Sequence, residues 1–332
     1  MKKTQLASLA LLLALAAWGG LHLMPHAKQS APQGGRTMLS IYTTGQATTP
    51  QMPLWKALAE GDLSFAPDIH YWKNLDDLRG TLLAGKGDIW VGHIDGFAQA
   101  AMRGTPIRLV CVTGWKKFFI LTSRPDIRTF DDIVRLPEGA EIATAPPHSP
   151  AVAVLHSLEG VGLPRFNYAP YEAKQLALKA MRGDTDLLLL PEPLVTALLA
   201  KAPNLRVVAS VEEEYGRMTG REPLLPMAGI AVNTKTLALH PGLDDRLAAA
   251  MRKQEQPLLD DPESGLATLP LEFEQFIEPE IVRASLARDI IRVRSAAESE
   301  SMIREYLSMV FPECVGPDGI IPLPDDFFGG SR

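Results

Sequence analysis

From residue 38 onward, short runs of aliphatic, aromatic and β-branched residues alternate with segments whose apolar positions recur at helical spacing. That alternation predicts layered α/β structure. The runs predict strands over 38–43 (MLSIYT), 69–72, 89–92, 107–113, 118–122, 141–145, 186–190 and 205–209. Between them the chain predicts helices through Leu54 and Leu58, over 75–83, 96–102 and 130–134, through Val152 and Leu155, over 171–181, and after Pro191-Glu192-Pro193. A further apolar run spans 227–232, and the pattern then turns mostly helical, over 241–257, 278–289 and 295–309. Pro and Gly breakers dominate from Pro312 to the end. Two α/β blocks in series predict a bilobal protein with a central cleft. In such sheets ligands collect beyond the carboxyl ends of the strands, where helix N-termini present free N–H groups.

The amino terminus has a different pattern. Lys2 and Lys3 precede a stretch, residues 6–18, that is apolar except for Ser8. A basic start and an apolar core are the layout of an export signal. Ala27 fits the residue before a cut, although Pro25 two positions earlier breaks the small-x-small rule. No cysteine follows the run, which argues against a lipoprotein anchor there. Residues 6–24, at 1.5 Å per residue, reach about 28 Å, enough to span a bilayer if left uncut. Cleaved signal and uncleaved anchor both stand, and both carry the remainder out of the cytoplasm. Residues 1–27 are thus signal or anchor, and 28–36 a Pro-, Gly- and polar-rich linker.

Composition narrows the function classes. The 332 residues are 46% hydrophobic and 22% charged, ordinary for a globular protein of about two domains. Lys and Arg number 33 against 39 Asp and Glu, a net charge of −6. Removing residues 1–27 takes away two lysines and no acids, giving −8. No basic face for nucleic acid follows from such a balance. The two cysteines, Cys111 and Cys314, exclude a four-thiolate zinc site and a disulfide scaffold, and are expected as separate thiols.

Few motifs carry chemistry. Gly80 to Gly87 nearly fits a phosphate loop, but the hydroxyl residue after Lys86 is missing and a helix, not a strand, precedes it; a helix end at Gly85 is the better reading. There is no G-x-G-x-x-G, H-E-x-x-H or G-x-S-x-G, and the spacing of His70, His93 and His148 does not favour metal ligation. Asp88, His93 and Asp95 bracket a strand end, where acid–base work and helix capping are both open to them. Glu192 follows an apolar run at a helix start near the predicted cleft, and reads equally as a first-turn acid. The loops 43–49 and 148–149 concentrate hydroxyl and N–H groups that suit an oxyanion or another polar ligand, or simple capping. Trp115 follows a strand, lining the cleft or covering the core edge.

Several of these stretches together resemble a known family. They are Ile41-Tyr42-Thr43-Thr44-Gly45-Gln46, Gly87-Asp88-Ile89, residues 104–110 leading to Trp115, Ser123-Arg124-Pro125, residues 192–198 (EPLVTAL), and residues 323–328 (LPDDFF). Their order and spacing resemble the solute-binding proteins of bacterial ABC importers, in the nitrate/sulfonate/taurine branch that also includes thiamine-pyrimidine binders. The resemblance covers about residues 38–328. It departs from the family at Pro191, where an aromatic is common, and at Pro146-Pro147-His148, where a Gly/Ser-rich loop is usual. The cysteine-rich motif of pyrimidine-synthesising relatives is absent.

The resemblance implies a type II periplasmic-binding clamp, each lobe a mixed sheet flanked by helices, with a helical C-terminal region. Lobe one would be 37–114 plus 225–332 and lobe two 115–224, with crossings near 113–118 and 210–227. The ligand shell would draw on Thr44, Gly45, Gln46, His93 and Trp115 from one side, and on His148, Ser149 and Glu192 from the other. The expected role is periplasmic capture of a small polar solute, anionic or zwitterionic, for an ABC permease in the inner membrane. The protein would be a monomer, not an enzyme, with no cofactor and no metal. A membrane-tethered ligand sensor and an enzyme on the same scaffold are the alternatives.

Overall fold

The strand runs that are apolar at every position find both of their faces covered. In the computed structural model, which describes residues 37–45 and 49–329, they build two mixed sheets flanked by helices. The predicted signal or anchor and linker, residues 1–36, and Gln46 lie outside the described residues.

The first sheet takes β1 (Met38–Thr43), β2 (Ala66–Tyr71), β3 (Ile89–His93), β4 (Ile107–Gly114), β10 (Ala228–Asn233) and the two-residue β11 (Arg294–Ser295), in the order β11-β4-β10-β3-β1-β2. Strands β2, β1 and β3 run parallel, and β10 returns antiparallel between β3 and β4. The second sheet takes β5 (Phe118–Thr122), β6 (Glu141–Thr144), β7 (Asn167–Pro170), β8 (Leu187–Pro191) and β9 (Arg206–Ser210), in the order β7-β6-β8-β5-β9. There β7, β6 and β8 are parallel, while β5 is antiparallel to both β8 and β9.

Period-two alternation sorts the side chains between two packing layers on each sheet. Along β8, Leu187 and Leu189 point into one cluster and Leu188 and Leu190 into another; along β5, Phe118 and Ile120 part from Phe119 and Leu121 in the same way. On β3, Trp90 separates from Ile89 and Val91. Each fully buried Leu or Ile contributes about 1.5–3 kcal/mol relative to exposure, so a slip in register would be costly. One large cluster is continuous from the first sheet to the second: Trp90, Ile94 and Phe97 join Ile120, Ile142 and Val154, with Trp115 and Tyr306 among them.

Two crossings link the sheets. Residues 115–117 carry the chain from β4 to β5, and residues 211–227 carry it back from β9 to β10. The return begins with α8 (Val211–Thr219), a helix the pattern reading leaves out; Ser210 caps it and Gly220, at φ +70°, ends it. Where β10 enters the sheet, a side chain at Gly229 would overlap the Cys111 carbonyl, so only glycine lets β4 and β10 close there.

Other departures from the pattern reading have local causes. Strand β7, partly exposed and holding only four residues, lacks a long apolar run. The helix read over 241–257 divides at Gln254 into Leu243–Lys253 and Glu255–Asp260. The helix read over 278–289 stops at Ser285, and the next, read from 295, begins at Glu300. Residues 286–293 are therefore freed to run across the molecule. Gly80 sits inside the helix Leu75–Leu83, with Gly85 at φ +61° just beyond, so the phosphate-loop geometry is absent. Among the described residues no helix is long and apolar enough to cross a membrane.

Candidate functional site

The carboxyl ends of β3, β4 and β8 converge on residues 115–117. The Met227 N–H donates to the Gly114 carbonyl (2.9 Å) and the Ile94 N–H to the Met227 carbonyl (3.1 Å), tying the ends of β4, β10 and β3 together. From the other sheet, the Glu192 N–H donates to the Lys117 carbonyl (2.8 Å). The end of β6 lies alongside β8, where the Ala145 N–H donates to the Leu189 carbonyl (3.2 Å). This is where the sequence predicted a cleft, and it is rich in buried polar groups.

Most of them are paired. The Lys117 ammonium and the Asp289 carboxylate, both buried, meet at 3.0 Å. Glu212, fully buried, accepts from the Lys117 and Phe118 N–H groups (2.7 and 3.0 Å) and from the Ser210 hydroxyl (2.9 Å). Burial pushes its carboxyl above the usual range against the pull of those donors. Glu192 accepts from the Arg288 Nε (2.7 Å), the Thr196 hydroxyl (3.0 Å) and the Thr196 N–H (3.1 Å). The Tyr306 hydroxyl, at 3.4 Å, donates to Asp95; burial, and then the Asp95 charge, hold its pKa well above that of a free phenol.

Three groups are not paired. His93 Nδ1, Thr113 Oγ1 and Ser149 Oγ are sealed from solvent, and none has a hydrogen-bond partner. Each such orphan costs about 1–3 kcal/mol in the absence of a partner. Burial drives the His93 imidazole pKa down, Asp95 opposes this and Lys117 reinforces it, so the ring is held neutral. A neutral imidazole can offer Nδ1 as donor or acceptor according to its tautomer. The set can therefore hydrogen-bond a polar molecule without adding charge of its own.

The predicted residues take distinct places. Thr44 is buried, and its carbonyl accepts from Gln51 Nε2 (2.7 Å). Gly45 lies so close to Phe276 that a Cβ would overlap the ring. His93 occupies the N-cap position of α3 (Ile94–Met102) but makes no capping bond with its side chain. Ser149 likewise precedes α5 (Pro150–Glu159) without capping it. His148, at φ +59°, is exposed. Trp115 is fully buried: its indole N–H donates to the Arg292 carbonyl (3.0 Å) and the Arg294 guanidinium lies 5.1 Å over its ring. Glu192 faces Arg288 and Thr196. Thr113, Lys117, Arg288 and Asp289 were not among the predicted residues; a threonine inside a strand and an Arg-Asp pair after a helix carry no signal until the crossing is known.

Elsewhere four more buried atoms lack a partner, the Tyr71 and Tyr168 hydroxyls, Gln254 Oε1 and Ser299 Oγ, while other polar groups are spent on structure. Asp88 accepts from the Ser40 N–H (2.8 Å), the Ser40 hydroxyl (2.7 Å) and the Thr236 hydroxyl (2.6 Å). Cys111 and Cys314 are both free, and burial pushes the Cys111 thiol up to about 12, leaving it unreactive. Among the described residues no group of three or more His, Cys, Asp or Glu is placed to hold a metal ion. Two open grooves of about 620 Å³ each lie outside the strand-end set. Their lining charges pair with each other, as in Arg221–Glu305 and Arg252–Glu298, and supply no unpartnered buried group. The strand-end set, which does supply such groups, is therefore the better candidate.

No protein-family model matches the chain, and none of the curated proteins does. Solved structures do. An ABC transporter from Parabacteroides distasonis is 17% identical, with a TM-score of 0.66 over 89% of this chain and 99% of the other. The periplasmic aliphatic sulphonate binding protein SsuA from Escherichia coli is 13% identical, with a TM-score of 0.66 and the same coverage. The periplasmic nitrate-binding protein NrtA from Synechocystis is 12% identical, with a TM-score of 0.53 over 76% of this chain and 70% of the other. At these identities the likeness is one of fold: two mixed sheets flanked by helices, as in periplasmic binding proteins.

Proposed function

We propose that this protein is the periplasmic solute-binding component of an ABC importer, holding one small polar molecule between its two sheets. The observation that carries the reading is the set of three sealed, unpartnered polar atoms, His93 Nδ1, Thr113 Oγ1 and Ser149 Oγ, at strand ends that converge from both sheets. Three of the seven buried polar side-chain atoms without a partner among the described residues stand at this one junction, and buried groups of that kind call for a hydrogen-bonding partner. The fold shared with sulphonate- and nitrate-binding proteins supports the same role.

The working cycle follows from linkage. Solute entering an open form contacts groups from one sheet first, and closure brings those of the other. A molecule that binds the shut form more tightly shifts the population toward it by the ratio of the two affinities. The shut form, a monomer, then docks on a permease in the inner membrane. We further propose an anionic or zwitterionic solute of the sulfonate or nitrate kind.

The test is mass spectrometry of the full chain under native conditions, followed by calorimetry with separate sulfonates, oxyanions, carboxylates and pyrimidines. One small molecule per chain is expected, with affinity lowered by Ser149→Ala and by Thr113→Val. Binding that neither substitution changes would overturn the site, and turnover of the bound molecule would make the protein an enzyme instead.

A further inference from the structure

Arg288 stands in the segment 286–293 that leaves the helix Pro279–Ser285 and crosses to the second sheet. Its guanidinium uses one edge on protein partners: Nε donates to Glu192 Oε1 (2.7 Å) and Nη2 to Thr196 Oγ1 (2.8 Å). The Thr196 hydroxyl in turn donates to the same Glu192 oxygen, so the three groups close a ring of hydrogen bonds. Glu192 is fully buried while the Arg288 side chain stays 30% exposed. The buried carboxylate therefore fixes the guanidinium from behind. The opposite edge, formed by Nη1 and the far hydrogen of Nη2, meets no acceptor among the described residues.

A planar guanidinium held along its side edge presents two parallel N–H groups at its end, the geometry that grips an oxyanion through two oxygens. Next along the chain, Asp289 holds Lys117, so that second cation is already neutralised. Ser149 follows β6, the strand that pairs with β8, and its residue is only 3% exposed with the hydroxyl unpartnered. It precedes the ten-residue helix Pro150–Glu159, whose first turn adds partial positive charge. Arg288 is held by Glu192 just past the end of β8, this helix start follows the neighbouring β6, and both favour negative charge.

We infer that Arg288 is the group that recognises an anionic head on the solute, and that Glu192 and Thr196 are its positioning residues. This rests on the solute-binding reading above. It differs from the sequence-based expectation in moving the ligand contact from Glu192 to the arginine that Glu192 holds.

The test compares methanesulfonate with methanesulfonamide, nearly equal in shape and different in charge, by calorimetry on the full chain. Wild type is expected to prefer methanesulfonate by at least about 30-fold, the scale of a charge-assisted bidentate pair. Arg288→Gln should bring the two affinities to within about 3-fold of each other, and Glu192→Gln should narrow the gap by letting the fork turn. Arg288→Lys, which keeps charge but lacks the fork, should bind with a reduced preference; it serves if Arg288→Gln does not fold. An undiminished preference in either arginine variant overturns the inference, as does a wild type that binds both probes equally or neither. Ser149→Ala separates the two levels. If it weakens the binding of a neutral probe while charge preference is absent, the clamp stands and the role of Arg288 falls; if it changes nothing, the site itself is wrong.

Discussion

The two ends of β3 carry polar groups of opposite fate. At the amino end, Asp88 is welded in place by Ser40 and Thr236, and although burial pushes its carboxyl up, those hydrogen bonds bring it below the ordinary carboxylate value. At the carboxyl end, the His93 Nδ1 atom is sealed and unpartnered, and burial drives the imidazole pKa down. The strand between them, residues 89–92, is one buried apolar run. The difference separates a polar group spent on architecture, which has its partners within the chain, from one the proposed site would use, which is buried without a partner.

Substitutions can sharpen that contrast. The largest effect is expected at the junction's own scaffold. Asp289→Ala leaves the Lys117 ammonium buried and uncompensated, a loss of about 3–5 kcal/mol read by chemical denaturation. At the amino end of β3, Asp88→Ala removes a charged acceptor from three donors and should cost about 2–3 kcal/mol in the same assay. The orphans should behave differently. Thr113→Val and Ser149→Ala are expected to leave stability unchanged or raise it, by at most the roughly 1–3 kcal/mol cost of the orphaned hydroxyl, while weakening solute binding by about 5-fold or more. A destabilisation like that of Asp88→Ala would mean these hydroxyls are structural after all.

The smallest effect concerns protons. Because burial holds the native His93 pKa below 6.5, the unfolded chain takes up a proton that the folded chain refuses. Stability should therefore fall as pH drops below about 6.5, by at most about 1.4 kcal/mol per pH unit, until the folded value is passed. Asp95 moderates the shift, while Lys117 and the more distant Arg79 deepen it. His93→Gln should remove this part of the slope, measured as the urea midpoint from pH 7 to pH 5. An unchanged slope would mean His93 titrates normally.

Much of the architecture was legible because the central strands are apolar on both faces. Residues 118–122 and 187–190 read as buried strands without further context, and the polar stops after them mark the sheet ends. Ser149 and Glu192 were legible as candidates by the same logic, since each follows a strand and precedes a helix. Their roles were not. Glu192 depends on Arg288, 96 residues away, and Lys117 on Asp289, 172 residues away. No local pattern encodes such pairings; they exist only once residues 286–293 cross the junction. Trp115 shows the converse, since its position after a strand suggests a cleft wall, yet its indole N–H is bound to Arg292 and its ring lies under Arg294.

In the proposed function a solute sits where the two sheets meet. A crystal structure of the protein with its retained molecule tests it most directly. Density within hydrogen-bonding reach of His93 Nδ1, Thr113 Oγ1 and Ser149 Oγ is the predicted result. A molecule seated instead in the groove lined by His156, Arg221 and Glu305, with those three atoms still unpartnered, would contradict it.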